Sequence, residues 1–190
     1  MTTFFFDYDD TIFPSTSVPI TYTKGENIEI DTQLQLLEQT VINLLTDALL
    51  YAKVFIITNA EDGWVQLSAG KYMPRLLPLL DMITVVSART VHESTFPENP
   101  LLWKLTAFTD QLQKCSEGER KHIISIGDSH VEREAARSFK NEQTCIKTVK
   151  LVEKPSCSQL RRQLNLLKSC MEYLCTHKGD LDLMLAITAK

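Results

Sequence analysis

The stretch TFFFDYDDTIF, residues 3–13, decides the reading of the fold. Three phenylalanines run directly into three carboxylates in four residues, Asp7, Asp9 and Asp10. A short apolar run closed by polar residues reads as a strand buried on both faces. Carboxylates crowded at the end of such a strand repel one another unless positive charge or water lies among them. A cation, a lysine or solvent would each serve.

Working outward, three more apolar runs read as buried strands: KVFIIT (53–58), MITVVS (82–87) and HIISIG (122–127), with a weaker fifth in TCIKTVKL (144–151). Helical patterns lie between them. Residues 31–51 start at Asp31 as N-cap and carry Leu34, Leu37, Val41, Leu44 and Ala48 on one face. Residues 60–73, broken at Pro74, then 101–114 and 129–140, give three further helices. Strands alternating with helices predict an α/β fold: a three-layer, Rossmann-like parallel sheet with helices on both faces and functional groups at the carboxyl ends of the strands.

Composition narrows the function. The 190 residues are 44% hydrophobic and 23% charged, as expected for a globular domain with a substantial core. A net charge of −4 provides no basic footprint for nucleic acid. No apolar run approaches the ~20 residues of a membrane span, and the N-terminus lacks the pattern of a signal peptide. Five cysteines without regular spacing fit reduced thiols and a cytosolic location, in the producing cell or, after export without a signal peptide, in a host. Cys170, Cys175 and His177 form a loose cluster without the second tight pair of a zinc site. His92, His122 and His130 read as solvated or structural, and Trp64 and Trp103 as packing residues, either of which could instead line the rim of the site.

The tail reads differently. Leu160, Leu164, Leu167, Met171 and Leu174 keep a four-three spacing after Pro155, Gly179 could end that helix, and Asp180 could cap another in DLDLMLAITAK. The division expected is a core over 1–155 and a helical C-terminal extension over 156–190. Its apolar stripe reads first as a helix packed on the domain, with contact to a partner or a further domain as the alternative, and the chain reads as one part of a longer protein.

Polar residues follow each strong strand. Asp7 and Asp9 follow the first; Thr58 and Asn59 end the second; Asp128 and Ser129, with Glu132 a turn later, follow HIISIG; Lys104 lies near the start of the preceding helix. In a doubly wound sheet these positions converge on one rim. Asp7-Tyr8-Asp9-Asp10-Thr11 resembles the DxDxT signature of the haloacid dehalogenase superfamily of phosphohydrolases. Thr58 in FIITN, Lys104 in NPLLWK and Asp128 in IGDSHVE resemble its remaining motifs, in the same order, so the likeness covers residues 3 to about 150. Lys71 and Lys121 compete with Lys104, but Lys104 leaves room for one helix and one strand before Asp128, as the family pattern requires.

The resemblance implies a mechanism. Asp7 would attack phosphorus and form an aspartyl-phosphate, while Asp9 would protonate the leaving oxygen and then activate water. Asp7, Asp128 and the carbonyl of Asp9 would hold Mg²⁺. Lys104 and the cation would offset the repulsion between anionic nucleophile and anionic substrate, and Thr58 and Asn59 would bind phosphoryl oxygens. Glu132, where the family often has Asp, would act from behind with Ser129, through water or by orienting Lys104. Asp10 reads as a turn residue.

Members of this superfamily often insert a cap domain. Here residues 10–57 are consumed by a flap hairpin (about 12–28) and one helix, and residues 59–103 by a helix, a strand and a loop. A capless site suits a phosphate carried on a large surface. The resemblance therefore implies a cytosolic protein phosphatase, with phosphotyrosine preferred over phosphoserine or phosphothreonine. The alternatives are a small-molecule or polynucleotide phosphatase, or a non-catalytic phosphate-binding or scaffold module.

Overall fold

The computed structural model describes residues 2–114 and 121–186. Strand β1 is Thr2–Phe6, and each of its phenylalanines is at most 1% exposed. Alternation along a strand sends neighbouring side chains to opposite faces. Phe4 and Phe6 accordingly enter one core cluster and Phe5 the other. The unbroken apolar run is thus explained by helices covering both faces.

Strands β2 (Lys53–Thr58), β3 (Thr84–Ser87), β4 (Lys121–Gly127), β5 (Thr144–Lys150) and β6 (Leu181–Met184) join β1 in one parallel sheet, ordered β3-β2-β1-β4-β5-β6. The order reverses at β1, whose neighbours are β2 and β4. A crevice opens at such a switch point, outside the strands' carboxyl ends. Asp7 continues the ladder there, its N–H donating to the Ile126 carbonyl at 2.9 Å.

One face is covered by α1 (Ile28–Tyr51), α2 (Trp64–Tyr72), α3 (Leu77–Leu80), α7 (Cys157–Ser169) and α8 (Met171–Thr176), the other by α4 (Ala88–His92), α5 (Pro100–Gln113) and α6 (His130–Arg137). This is the three-layer α/β architecture expected from the strand–helix alternation. Helix α1 starts earlier than expected. Asn27 is its N-cap, accepting from the N–H groups of Glu29 and Ile30. Asp31 instead accepts from the Tyr22 hydroxyl at 2.7 Å and the Gly25 N–H at 2.7 Å, tying the preceding loop to the helix.

Two expectations are corrected. Residues 14–27 run as turns and bends, so no hairpin flap forms; their contact with the core is made by Val18 and Tyr22. The segment expected to start a second tail helix at Asp180 instead forms β6, paired with β5 in the register Lys147↔Leu181 to Lys150↔Met184. Asp180 accepts from the Ile146 N–H at 2.8 Å, and Asp182 accepts from Thr148 Oγ1 at 2.7 Å and from Arg133 and Arg137. These anchors hold as a strand the segment that Asp180 was expected to cap as a helix. Residues 187–190 of the expected helix lie outside the described residues. The Leu160–Leu164–Leu167 stripe packs into the same core as Leu34, Leu37 and Val41 of α1, and Lys168 pairs with Asp47 of that helix at 2.9 Å. Within the described residues no helix is long and apolar enough to cross a membrane.

Candidate active site

Each element delivers one part of the rim. Strand β1 ends at Phe6, placing Asp7 beside the end of β4. Helix α5 is capped by Asn99, whose Oδ1 accepts the Leu102 N–H at 3.1 Å, and has Pro100 in its first turn, so Lys104 sits one turn in. At the end of β4, the Ser129 side chain caps α6 and Glu132 closes the capping box. Because Ser129 takes that role, Asp128 is left facing the cleft.

Lys104, 1% exposed, is the centre of this arrangement. Its Nζ donates to Asp7 Oδ1 at 2.6 Å and to Glu132 Oε1. Glu132 Oε2 accepts from the N–H and the hydroxyl of Ser129. Glu132 thus joins the α6 cap to the lysine. Gly127 permits this: a Cβ there would lie 2.4 Å from Glu132 Cγ. The sequence signal for that requirement was a glycine directly before Asp128.

Asp9 is held at both oxygens. Trp64 Nε1 donates to Oδ1 at 2.9 Å, and Thr58 Oγ1 donates to Oδ2 at 3.2 Å. The hydroxyl of Thr58 also accepts the Ala60 N–H at 2.9 Å, so this threonine, expected at the phosphate, is engaged with the second carboxylate. Asn59 lines the cleft while its Nδ2 donates to the Pro100 carbonyl at 3.3 Å. Trp64, read as a packing residue that could instead line the rim, does line the cleft and reaches a carboxylate; no sequence spacing pointed to that contact. Asp10 is a turn residue as expected, with φ of 52°, and it accepts from the Thr16 N–H at 3.0 Å and from the Thr16 hydroxyl. It also lines the cleft.

The cleft has a volume of about 510 Å³. Among the described residues, five carboxylates (Asp7, Asp9, Asp10, Asp128 and Glu132) line it with one ammonium, that of Lys104. Burial, opposed by Lys104 but reinforced by Glu132 and Asp128, pushes the Asp7 carboxyl up to about 8. Burial and the charges of Glu132 and Asp10 push Asp128 up to about 6. Glu132 is held below its usual range: burial opposes this, but Lys104, Ser129 and its backbone outweigh it. Lys104 is raised despite its burial, because it faces Asp7 and Glu132. Two buried carboxylates compete for one ammonium, and Glu132, which also has the Ser129 donors, is the one more firmly ionised.

Asp7, Asp128 and Glu132 each offer an oxygen within 4.8 Å of the others. A hard, all-carboxylate set short of positive charge fits a divalent cation such as Mg²⁺. Among the described residues this is the His/Cys/Asp/Glu group spaced for an ion; Cys170, Cys175 and His177 do not form one. Cys157, Cys170 and Cys175 are free thiols. No family model, curated protein or solved structure matches the chain.

Proposed function

We propose that this chain is a magnesium-dependent phosphohydrolase that works through an aspartyl-phosphate on Asp7. The observation that carries the reading is the Lys104 ammonium held between Asp7 and Glu132, with an Asp128 oxygen within 4.8 Å of both carboxylates and Asp9 lining the same cleft. The likeness of the DYDDT, FIITN, NPLLWK and IGDSHVE segments to haloacid dehalogenase motifs supports it.

A carboxylate oxygen of Asp7 attacks phosphorus as the bond to the leaving oxygen breaks, and Asp9 gives that oxygen a proton. Asp9 then takes a proton from the water that attacks the aspartyl-phosphate, releasing phosphate and restoring Asp7. Lys104 keeps Asp7 oriented and opposes the repulsion between anionic nucleophile and anionic phosphoryl group. Glu132 fixes Lys104, and Ser129 fixes Glu132. Mg²⁺ held by Asp7 and Asp128, with the carbonyl of Asp9, would neutralise charge on the phosphoryl oxygens.

The substrate we favour is a phosphoprotein, with phosphotyrosine ahead of phosphoserine and phosphothreonine. Residues 10–57 are occupied by a loop, α1 and most of β2, and residues 59–103 by α2, a short 3-10 turn, α3, β3, α4, the first turn of α5 and their connections, so neither forms a domain enclosing a small substrate. The acidic lining disfavours a polynucleotide. Turnover of p-nitrophenyl phosphate with and without Mg²⁺, beside Asp7→Asn, tests the reaction, and a phosphopeptide panel tests the substrate class. Magnesium-dependent turnover abolished in Asp7→Asn is the expected result. Folded, magnesium-loaded protein without turnover would instead identify a phosphate-binding or scaffold module.

A further inference from the structure

Helix α2 begins at Trp64, directly after Gly63 in the left-handed region at φ 81°. The indole lies edge-on to Phe13, with ring centroids 6.4 Å apart, and Phe13 stacks on Tyr72 at 5.2 Å. Phe13 is also the residue whose backbone bridges to Asp9. The aromatic column therefore steadies both the ring that donates and the turn that carries the acceptor. From this support Trp64 Nε1–H reaches Asp9 Oδ1 at 2.9 Å, while Oδ2 faces the hydroxyl of Thr58 at 3.2 Å.

The two partners are chemically unequal. An indole N–H can only donate, so the oxygen it holds must remain an acceptor. A threonine hydroxyl can donate to a carboxylate or accept from a carboxylic acid. We propose that Trp64 is a positioning residue for Asp9, confining its transferable proton to Oδ2; the inference rests on the phosphohydrolase reading above. When Asp9 is ionised, Thr58 donates to Oδ2. When Asp9 is protonated, Oδ2 carries the proton and Thr58 accepts. As the phosphorus–oxygen bond breaks, the electron pair stays on the leaving oxygen and the Oδ2 proton moves to it. In the second step a proton from water returns to Oδ2. The indole holds the same oxygen throughout, so the carboxyl need not rotate between its acid and base roles.

A leaving group's demand for a proton reads this role directly. Phosphoserine leaves as an alkoxide and depends on the acid, whereas p-nitrophenolate is a stable anion and depends on it little. Trp64→Phe keeps the aromatic packing and removes the donor. The ratio of kcat on phosphoserine to kcat on p-nitrophenyl phosphate is expected to fall at least ~10-fold from wild type, as a share of the ~10²–10⁴ that general acid–base catalysis supplies. Both values come from one preparation, so a partly unfolded variant lowers them together and leaves the ratio intact. A ratio within about twofold of wild type, beside a large fall in Asp9→Asn, overturns the role of Trp64 and leaves the phosphohydrolase reading standing. Wild-type protein that hydrolyses neither substrate overturns both.

A second measurement needs no change at Trp64. The chain has two tryptophans, hence two indole N–H signals in a ¹⁵N-correlated spectrum. In Asp9→Asn the Trp64 signal is expected to move upfield, while that of Trp103, which donates to the Phe96 carbonyl at 2.6 Å, stays in place. If neither signal moves, the proposed contact is overturned.

Discussion

Lys104 shows how much one side chain is asked to do. Its buried ammonium is shared by Asp7 and Glu132. Removing one member of a buried ion cluster leaves the other charges uncompensated, which costs about 3–5 kcal/mol. Lys104→Met preserves much of the volume and removes the charge. Its metal-free form is expected to be less stable by about 3 kcal/mol in urea at neutral pH. Loss of an electrostatic partner of the transition state is expected to lower kcat by ~10²-fold or more. Unchanged stability together with full turnover would show that another group compensates Asp7. The same residue illustrates what could be read beforehand: among three lysines, Lys104 is the one whose distance from Asp128 matches the pattern that the haloacid dehalogenase resemblance implies. Its simultaneous bond to Glu132 is a tertiary fact that depends on α5 and α6 packing on the same face of the sheet.

At the scale of elements, the junction of β4 and α6 is the tightest part of the account. A Cβ at residue 127 would meet Glu132 Cγ, Cδ and Oε2 at 2.4, 2.7 and 2.7 Å. Gly127→Ala is therefore expected to displace Glu132 from Lys104, lowering kcat at least ~10-fold, since misplacement of a positioned group by an ångström costs up to ~10². Activity equal to wild type would mean that Glu132 can move without consequence. The tail helices carry a different kind of load. Leu164 is fully buried against the α1 face of the core, so Leu164→Ala is expected to destabilise by about 2–5 kcal/mol, measurable by urea unfolding.

Elements also show why some readings succeeded. The strands β1, β2 and β4 are buried on both faces and appear in the sequence as continuous apolar runs. The β6 residues, LDLM, are largely exposed, and the Asp180 before them reads as the cap of a second helix after Gly179. What makes them a strand is the backbone of β5 and the anchors at Asp180 and Asp182. The flap failed for a related reason: residues 14–27 are fastened by Asp10, Asp31 and Tyr72 side chains rather than by strand pairing. Asp7, Asp9, Thr58, Asn59, Asp128 and Ser129 were legible because strand ends in a parallel sheet share a rim. Trp64 was not, because a tryptophan at a helix start is compatible with packing alone.

For the whole molecule, the acid-rich cleft links stability to pH and metal. Asp7 and Asp128 have folded-state values raised from 3.8 to about 8 and about 6. The folded protein therefore holds these protons more tightly than the unfolded chain. Their contribution to stability is complete below the unfolded value and is lost as pH rises through about 6 and then about 8. Glu132, with its lowered value, acts in the opposite sense and loses its contribution only as pH falls into the acid range. Metal-free protein is thus expected to lose stability between pH 5 and pH 8 through this site. Mg²⁺ competes with those protons, so it should raise the melting temperature more at pH 8 than at pH 5. A larger magnesium effect at pH 5 would contradict the assignment of Asp7 and Asp128 to a cation.

The central claim is a covalent phosphoryl group on Asp7. The measurement that tests it most directly is acid quenching during turnover of a labelled aryl phosphate with Mg²⁺, followed by peptide mapping. Hydroxylamine-sensitive label on the peptide containing Asp7, absent from Asp7→Asn, is the predicted result. Sustained turnover with label on another residue would contradict the account.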